Sequence, residues 1–255
     1  MYAAERQQLV AERLQADGRV SVVEIADELG VSNETIRRDL AALERDGLAQ
    51  RVHGGAVPAR ALRILEPGLA QRTTTNADQK ARIARAAAEF LPTEGGSVVL
   101  DAGTTISHLV DEIPLDHPMT VVTHAIPIAA KVTAIPSVDL HTLGGRVRGI
   151  TAAAVGQGVV DGLEGLSVDV CFLATNAATP SHGLSTPDAE EAAAKRALVR
   201  SARVVVALFD SSKFDEQHVF SFASYDDLDV VVTDDGISAE DKAALEAADV
   251  KVVVA

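Results

Sequence analysis

The chain has 255 residues, 47% of them hydrophobic, enough for a substantial core in one large domain or two unequal ones, and a formal charge of −14. No apolar run approaches the roughly 18 residues of a membrane span, and the charged start "MYAAERQQ" carries no signal-peptide pattern, so a soluble cytoplasmic protein is expected. The single cysteine, Cys171 in the apolar setting "VCFLA", excludes an internal disulfide and an all-cysteine metal site, and neither a metal nor a cofactor is expected.

The acidity is unevenly spread. Residues 1–60 hold 8 Lys and Arg against 10 Asp and Glu, and residues 35–60 turn positive, with five arginines against three acids. A basic face that nucleic acid would need therefore survives locally. Ser21 followed by Glu24 makes a capping box that starts a helix, and Gly30 can end it. Ser32 is the next N-cap, with Val31 and Ile36 at the hydrophobic-staple positions. At about 100° per residue, Ile36, Leu40 and Leu43 share one face, and Thr35, Arg37 and Arg38 point away from it.

Two capped helices joined by about three residues predict a helix-turn-helix, which would set Ser32, Asn33, Thr35, Arg37 and Arg38 at the major groove. After Gly47, "LAQRV" and "AV" bracket "HGG" and predict a small hairpin, a wing with Arg51, His53 and Gly54 at or near its tip. A solvated amphipathic helix beside an ordinary hairpin is the blander account of the same residues.

Residues 58–76 lose periodicity and collect Pro58, Pro67, Gly68 and "TTTN", which predicts a linker with a short helix around 59–65. From residue 77 to 255, helical patterns alternate with the apolar runs "SVVLDAG", "MTVVTHA", "VDLHTLGG", "VDVCFLATN", "RVVVALFD", "DVVVTDDG" and "VKVVVA". That rhythm predicts an α/β domain of buried parallel strands, with ligands at the strand ends.

Asp101, Gly103, Thr104 and Thr105 follow the first of those strands and open a helix. The turn can hold an anion at the helix N-terminus, or Thr104 can simply cap the helix. Other polar strand ends are Thr123 and His124, then Gly144, Gly145 and Arg146 with Arg148, and "DSSKF" with Lys213.

"VSNETIRRDLAALERDGL" followed by "RVHGGAV" resembles the N-terminal signature of the DeoR family of bacterial transcriptional regulators, over residues 1–57. "DAGTT", "VVTHAI", "LGGRVRG", "GLSTPDAEEAAAKRALV" and "DSSKF" resemble the sensor domain of that family, which is similar in fold to ribose-5-phosphate isomerase. The resemblance implies a winged helix-turn-helix over 1–57 that reads double-stranded operator DNA, and a sugar-phosphate sensor over 77–255. By it, Gly103, Thr104 and Thr105 hold the phosphate, while Asp101, Thr123, His124, Gly144, Gly145, Arg146 and Lys213 line the rest of the pocket.

It further implies a repressor of sugar-catabolism genes that a phosphorylated sugar releases, acting as a homo-oligomer with no role at a membrane. Two other functions are open to the residues. An isomerase with a DNA-binding appendage would need a carboxylate base; in the isomerases that the sensor resembles in fold, acidic residues follow the strand equivalent to "VDVCFLATN", where Asn176, Ala177 and Ala178 stand here, which leaves Asp101 and Asp210 as substitutes. A DNA-binding module on a purely structural scaffold would leave the "DAGTT" turn without a use.

Overall fold

The computed structural model describes residues 3–17, 20–45, 49–52, 55–58, 67–214 and 216–255. The chain divides into two compact units, Met1–Leu65 and Glu66–Ala255.

The first unit begins with α1 (Ala3–Asp17), a helix to which the caps of the following segment give no clue. It continues through β1 (Val20–Ser21), α2 (Val22–Leu29), α3 (Asn33–Arg45), β2 (Ala49–Val52) and β3 (Gly55–Pro58). Ser21 caps α2 by accepting from the Glu24 amide, and Gly30 closes it in the left-handed conformation, φ 62°. Ser32 Oγ then accepts from the Thr35 amide at 3.2 Å and starts α3.

Ile36, Leu40 and Leu43 of α3 pack into one apolar cluster with Val10, Leu14 and Ile25. Asp39 is buried on the same helix and is held by Arg6 Nε at 2.5 Å and Gln7 Nε2 at 3.1 Å, which ties α1 to α3. β2 and β3 pair as the expected hairpin, and β3 also pairs with β1, Val20 opposite Ala56. A side chain at Gly55 would collide with the Val20 carbonyl oxygen, so the third strand closes only on glycine.

The second unit opens with α4 (Leu69–Thr74), inside the stretch expected to be a linker. Thr73 and Thr74 donate their hydroxyls back to the Leu69 and Gln71 carbonyls at 2.8 and 3.0 Å, a local satisfaction that a Thr-rich string does not advertise. Then follow α5 (Ala77–Ala87), β4 (Ser97–Leu100), α6 (Thr104–Asp111), β5 (Met119–Thr123), α7 (Ile126–Val132) and β6 (Val138–Thr142). A hairpin of β7 (Arg146–Arg148) and β8 (Ala153–Val155) leads to α8 (Gln157–Leu163) and β9 (Val168–Leu173).

The remainder is β10 (Ala177–Thr179), β11 (Gly183–Thr186), α9 (Ala189–Arg200), β12 (Ala202–Leu208), β13 (Phe220–Ala223), β14 (Val230–Thr233), α10 (Ala239–Ala247) and β15 (Lys251–Val254). All seven runs read as buried strands form one parallel sheet, in the order β15-β14-β12-β9-β4-β5-β6. Successive residues serve opposite faces: Val98 and Leu100 join Ile83, Ile106 and Ile128 on one side, and Val99 joins Val159, Leu198 and Leu245 on the other.

Burial on both faces is why the inner strands β14, β12, β9, β4 and β5 are largely apolar runs, whereas the edge strand β6, "VDLHT", alternates and is mostly exposed. The short strands β10, β11 and β13 build a separate antiparallel sheet.

Candidate functional site

The strand order reverses between β4 and β9: from β4 the chain builds outward through β5 and β6, then returns to add β9, β12, β14 and β15 on the other side. The crevice at the carboxyl ends of two such strands is where an open α/β sheet offers room for a ligand. The "DAGTT" turn leaves β4 at that point. Gly103 and Thr104 are half-buried and Thr105 is buried at the start of α6.

Gly103 is the N-cap and supplies no side-chain hydrogen bond, so Thr104 does not cap the helix. A Cβ at Gly103 would come within 2.9 Å of the Ala174 Cβ beyond β9, which is why glycine lets the two strand ends approach. The first-turn amides of α6 thus present donors, and the favourable end of the helix dipole, to an anion.

Asp101 lies beneath this turn and is fully buried. One carboxylate oxygen accepts from Lys195 Nζ at 2.5 Å and from the Ala174 amide at 2.9 Å, while the other faces His124 Nε2 at 3.1 Å. Burial alone would raise the Asp101 carboxyl; the Lys195 ammonium and the His124 ring outweigh it and hold it at about 2. Asp101 therefore enters the site as a hub rather than as an exposed acceptor.

His124 Nδ1 donates to the Ala154 carbonyl at 2.7 Å, and the Ala154 amide donates back to the His124 carbonyl at 2.8 Å, which fixes the β7–β8 hairpin on the end of β5. Thr123, buried, donates to the Leu100 carbonyl at 2.7 Å and accepts from the Ala125 amide at 3.2 Å, locking β5 to β4.

From Lys195 the network runs outward. Its Nζ also donates to the Ala174 carbonyl at 2.9 Å, lies 3.9 Å from Glu191, and sits 5.2 Å from the Phe222 ring centroid. Glu191 in turn accepts from Arg148 at 3.0 Å, and Arg148 lies 3.3 Å from Asp188, the N-cap of α9. Arg146, exposed, pairs with Glu190. Gly145 approaches the Val155 carbonyl so closely that a Cβ would come within 2.8 Å of it, and Gly144 beside it is exposed.

The structure thus gathers Asp101, Gly103, Thr123, His124, Gly145 and Arg146 around one end of the sheet. Lys213 belongs to a neighbouring group at the end of β12. There Asp210 caps a single 3₁₀ turn, Ser211–Lys213, by accepting from the Ser212 amide at 3.2 Å. Cys171 is buried in the core and burial pushes its thiol up, as an inert cysteine requires.

Lys195 and Glu191 are the residues of this network that the sequence reading missed. The signal was present: at positions 191, 194, 195 and 198 of α9, Ala194 and Leu198 are core residues, so two charges share the stripe that faces the core.

In the first unit, Arg37, Arg38 and Asn33 are exposed on α3, and Ser32 is exposed at its start. Glu34 lies 3.9 Å from Arg37 and 3.6 Å from Arg38. Thr35 is half-buried, and its hydroxyl shares a 2.8 Å hydrogen bond with Ser32 Oγ, so it serves the cap as well as the surface. Arg51 takes part in β2 through its backbone, opposite Ala56; His53 and Gly54 lie outside the described residues.

Residues 6–60 match the DeoR-like helix-turn-helix domain and residues 75–235 the DeoR C terminal sensor domain. The chain belongs to the DeoR family. Among its relatives, the HTH-type transcriptional regulator GlpR of Haloferax volcanii is 37% identical over 99% of this chain and 98% of its own length. The lactose phosphotransferase system repressor of Lactococcus lactis is 32% identical over 93% of each, and a putative aga operon transcriptional repressor of Escherichia coli is 29% identical over 98% and 93%.

A solved structure, ribose 5-phosphate isomerase A from Methanocaldococcus jannaschii, covers 55% of each chain at 16% identity with a TM-score of 0.41. As a DeoR-family member the chain is a DNA-binding transcriptional regulator with an N-terminal helix-turn-helix and a C-terminal α/β sensor. Among the described residues, no helix is long and apolar enough to cross a membrane.

Proposed function

We propose that this DeoR-family regulator represses sugar-catabolism genes in the cytoplasm and leaves its operator when a phosphorylated sugar binds the second unit. The observation that carries the proposal is the half-buried, side-chain-uncapped start of α6 at the strand-order reversal, where Gly103, Thr104 and Thr105 offer backbone donors and hydroxyls to a phosphate. Lys213 adds a cation to an otherwise acidic domain, and Arg146 and the Gly144–Gly145 turn flank the crevice. The names of the relatives, a lactose phosphotransferase system repressor and a putative aga operon transcriptional repressor among them, accord with control of sugar genes.

An isomerase reading finds little support, because Asn176, Ala177 and Ala178 supply no base after β9 and Asp101 is fully engaged.

A thermal-shift screen of sugar phosphates against the matching free sugars tests the effector class. At 100 times its dissociation constant a bound sugar phosphate stabilises by about 2.7 kcal/mol, and the free sugar should give little. Thr104→Ala combined with Lys213→Ala should fold normally yet stay on the operator at any concentration of the compound that releases the parent. A parent-like response from that double variant places the phosphate elsewhere.

The regulator should also act as a homo-oligomer on two-fold related half-sites, because one small winged domain covers too little DNA for operator-level specificity. Light scattering of the full chain at micromolar concentration checks this, and a monomer contradicts it.

A further inference from the structure

We infer that Asn76 is a positioning residue, through which the Asp210–Lys213 loop holds the segment that leads into the DNA-binding unit. This deepens the proposed function and rests on its assignment of Lys213 to the effector phosphate.

Asn76 forgoes the usual role of its position. It is the N-cap of α5, a position where asparagine normally accepts from the first-turn amides, yet it makes no side-chain cap and its backbone is left-handed, φ 53° and ψ 37°. Its Nδ2 instead donates at 3.0 Å to Asp210 Oδ1, 134 residues away in the chain. Asp210 is buried, and the same oxygen accepts from the Ser212 amide at 3.2 Å and the Ser212 hydroxyl at 2.5 Å. One carboxylate oxygen therefore shapes the loop and grips Asn76. The loop is anchored from behind by Asp234, which accepts from the Ser211 amide and hydroxyl, each at 2.8 Å.

Asn76 lies at the junction between α4 and α5, and α4 is the first helix after the boundary between the two units. A second fastener stands beside it. Lys80, buried on α5, donates Nζ to the Arg72 carbonyl at 2.5 Å and the Thr75 carbonyl at 2.6 Å, closing the end of α4. Burial lowers the Lys80 ammonium, Asp210 raises it, and the charges of Lys213 and Arg72 lower it further. Lys80 thus feels both the loop and α4.

A phosphate arriving on Lys213 would act on the loop that Asp210 shapes, and through the Asn76–Asp210 hydrogen bond on the end of α4. The effector would then bias how firmly α4 is held, which is the differential interaction that any ligand-driven change in DNA affinity requires.

Hydrogen exchange of the full-length protein, together with its affinity for a duplex selected by the parent from a random pool, tests the inference. Asn76→Gly accepts the left-handed backbone but loses the tie, so amides across 70–76 should exchange at least about 10-fold faster and duplex affinity should change at least about 5-fold. Asn76→Asp places two carboxylates together and should do the same, while Asn76→Asp with Asp210→Asn rebuilds a hydrogen bond across the junction and should return both readouts toward the parent.

A purely structural tie would shift exchange and leave duplex affinity alone. Parent-like affinity in both single variants, or a double variant no closer to the parent than Asn76→Asp, overturns the inference. In parallel, inorganic phosphate at matched ionic strength should slow exchange across 103–106 in the parent and in Asn76→Gly alike. Failure of that arm overturns the anion site, whereas failure of the Asn76 and Asp210 cycle overturns the coupling.

Discussion

Replacing Lys195 with alanine should destabilise the second unit by about 3–5 kcal/mol, the scale for removing one partner from a buried ion pair and leaving the other charged. Both side chains are buried, Asp101 at 0% and Lys195 at 2% exposure, so water cannot replace the lost ammonium. Asp101 would keep only the Ala174 amide and the His124 ring. The effect has a pH signature. The folded Asp101 carboxyl sits at about 2, below its ordinary 3.8, so its stabilisation is complete above the ordinary value and is lost as pH falls from about 4 toward 2.

Without Lys195, burial dominates, the carboxyl rises, and acid unfolding should begin at a higher pH than in the parent. Urea unfolding at pH 7 and an acid titration followed by circular dichroism read the two effects. Replacing both residues, Asp101→Asn with Lys195→Met, should recover part of the loss because no charge is then stranded. A Lys195→Ala protein with the parent's urea midpoint and acid limb would show that the pair is not the hub of the site.

That hub was hidden in the sequence for a physical reason. Asp101 and Lys195 are 94 residues apart, and a strand end and a helix face carry no local pattern that joins them. The inner strands of the parallel sheet were legible because burial on both faces demands apolar runs such as "VVL" and "VVVAL", and the edge strands β6 and β15 by the regular spacing of "VDLHT" and "KVVV" after helical patterns. The helix-turn-helix was legible because Ser21, Gly30 and Ser32 punctuate it by local hydrogen bonding and backbone freedom.

The hairpin β7–β8 and the sheet β10-β11-β13 were not read, since strands of three or four residues such as "RVR", "AAT" and "GLST" carry neither a long apolar run nor enough length to show a period. Of the candidate site, the "DAGTT" turn was recognisable by its residue types. That Asp101 faces inward while Gly103 faces the crevice follows from the pleat and from the Ala174 contact, which only the folded sheet brings about.

Arg37→Ala and Arg38→Ala should each weaken operator binding without disturbing the fold, and the double variant should lose operator preference altogether. The fold is spared because the other side of α3 makes the core: Ile36, Asp39, Leu40 and Leu43 are buried, while both arginines are exposed. Their partner in the free protein is Glu34, at 3.9 and 3.6 Å, and exposed pairs of this kind contribute about 0–1 kcal/mol. DNA can therefore take both arginines from Glu34 at little cost.

An arginine that pairs with a guanine edge should lose about 1–3 kcal/mol on truncation, confined to one operator position; one that meets a phosphate should weaken all sequences alike and make the salt slope shallower by about one. Mobility assays at several fixed salt concentrations, on the operator and on single-base variants, separate the two. Thr35→Ala provides the contrast, because the loss of its hydroxyl also removes the 2.8 Å bond to Ser32 and should loosen the start of α3 as well as DNA binding. If both arginine variants bind the operator as the parent does, with the same salt slope, α3 is not the element that enters the groove.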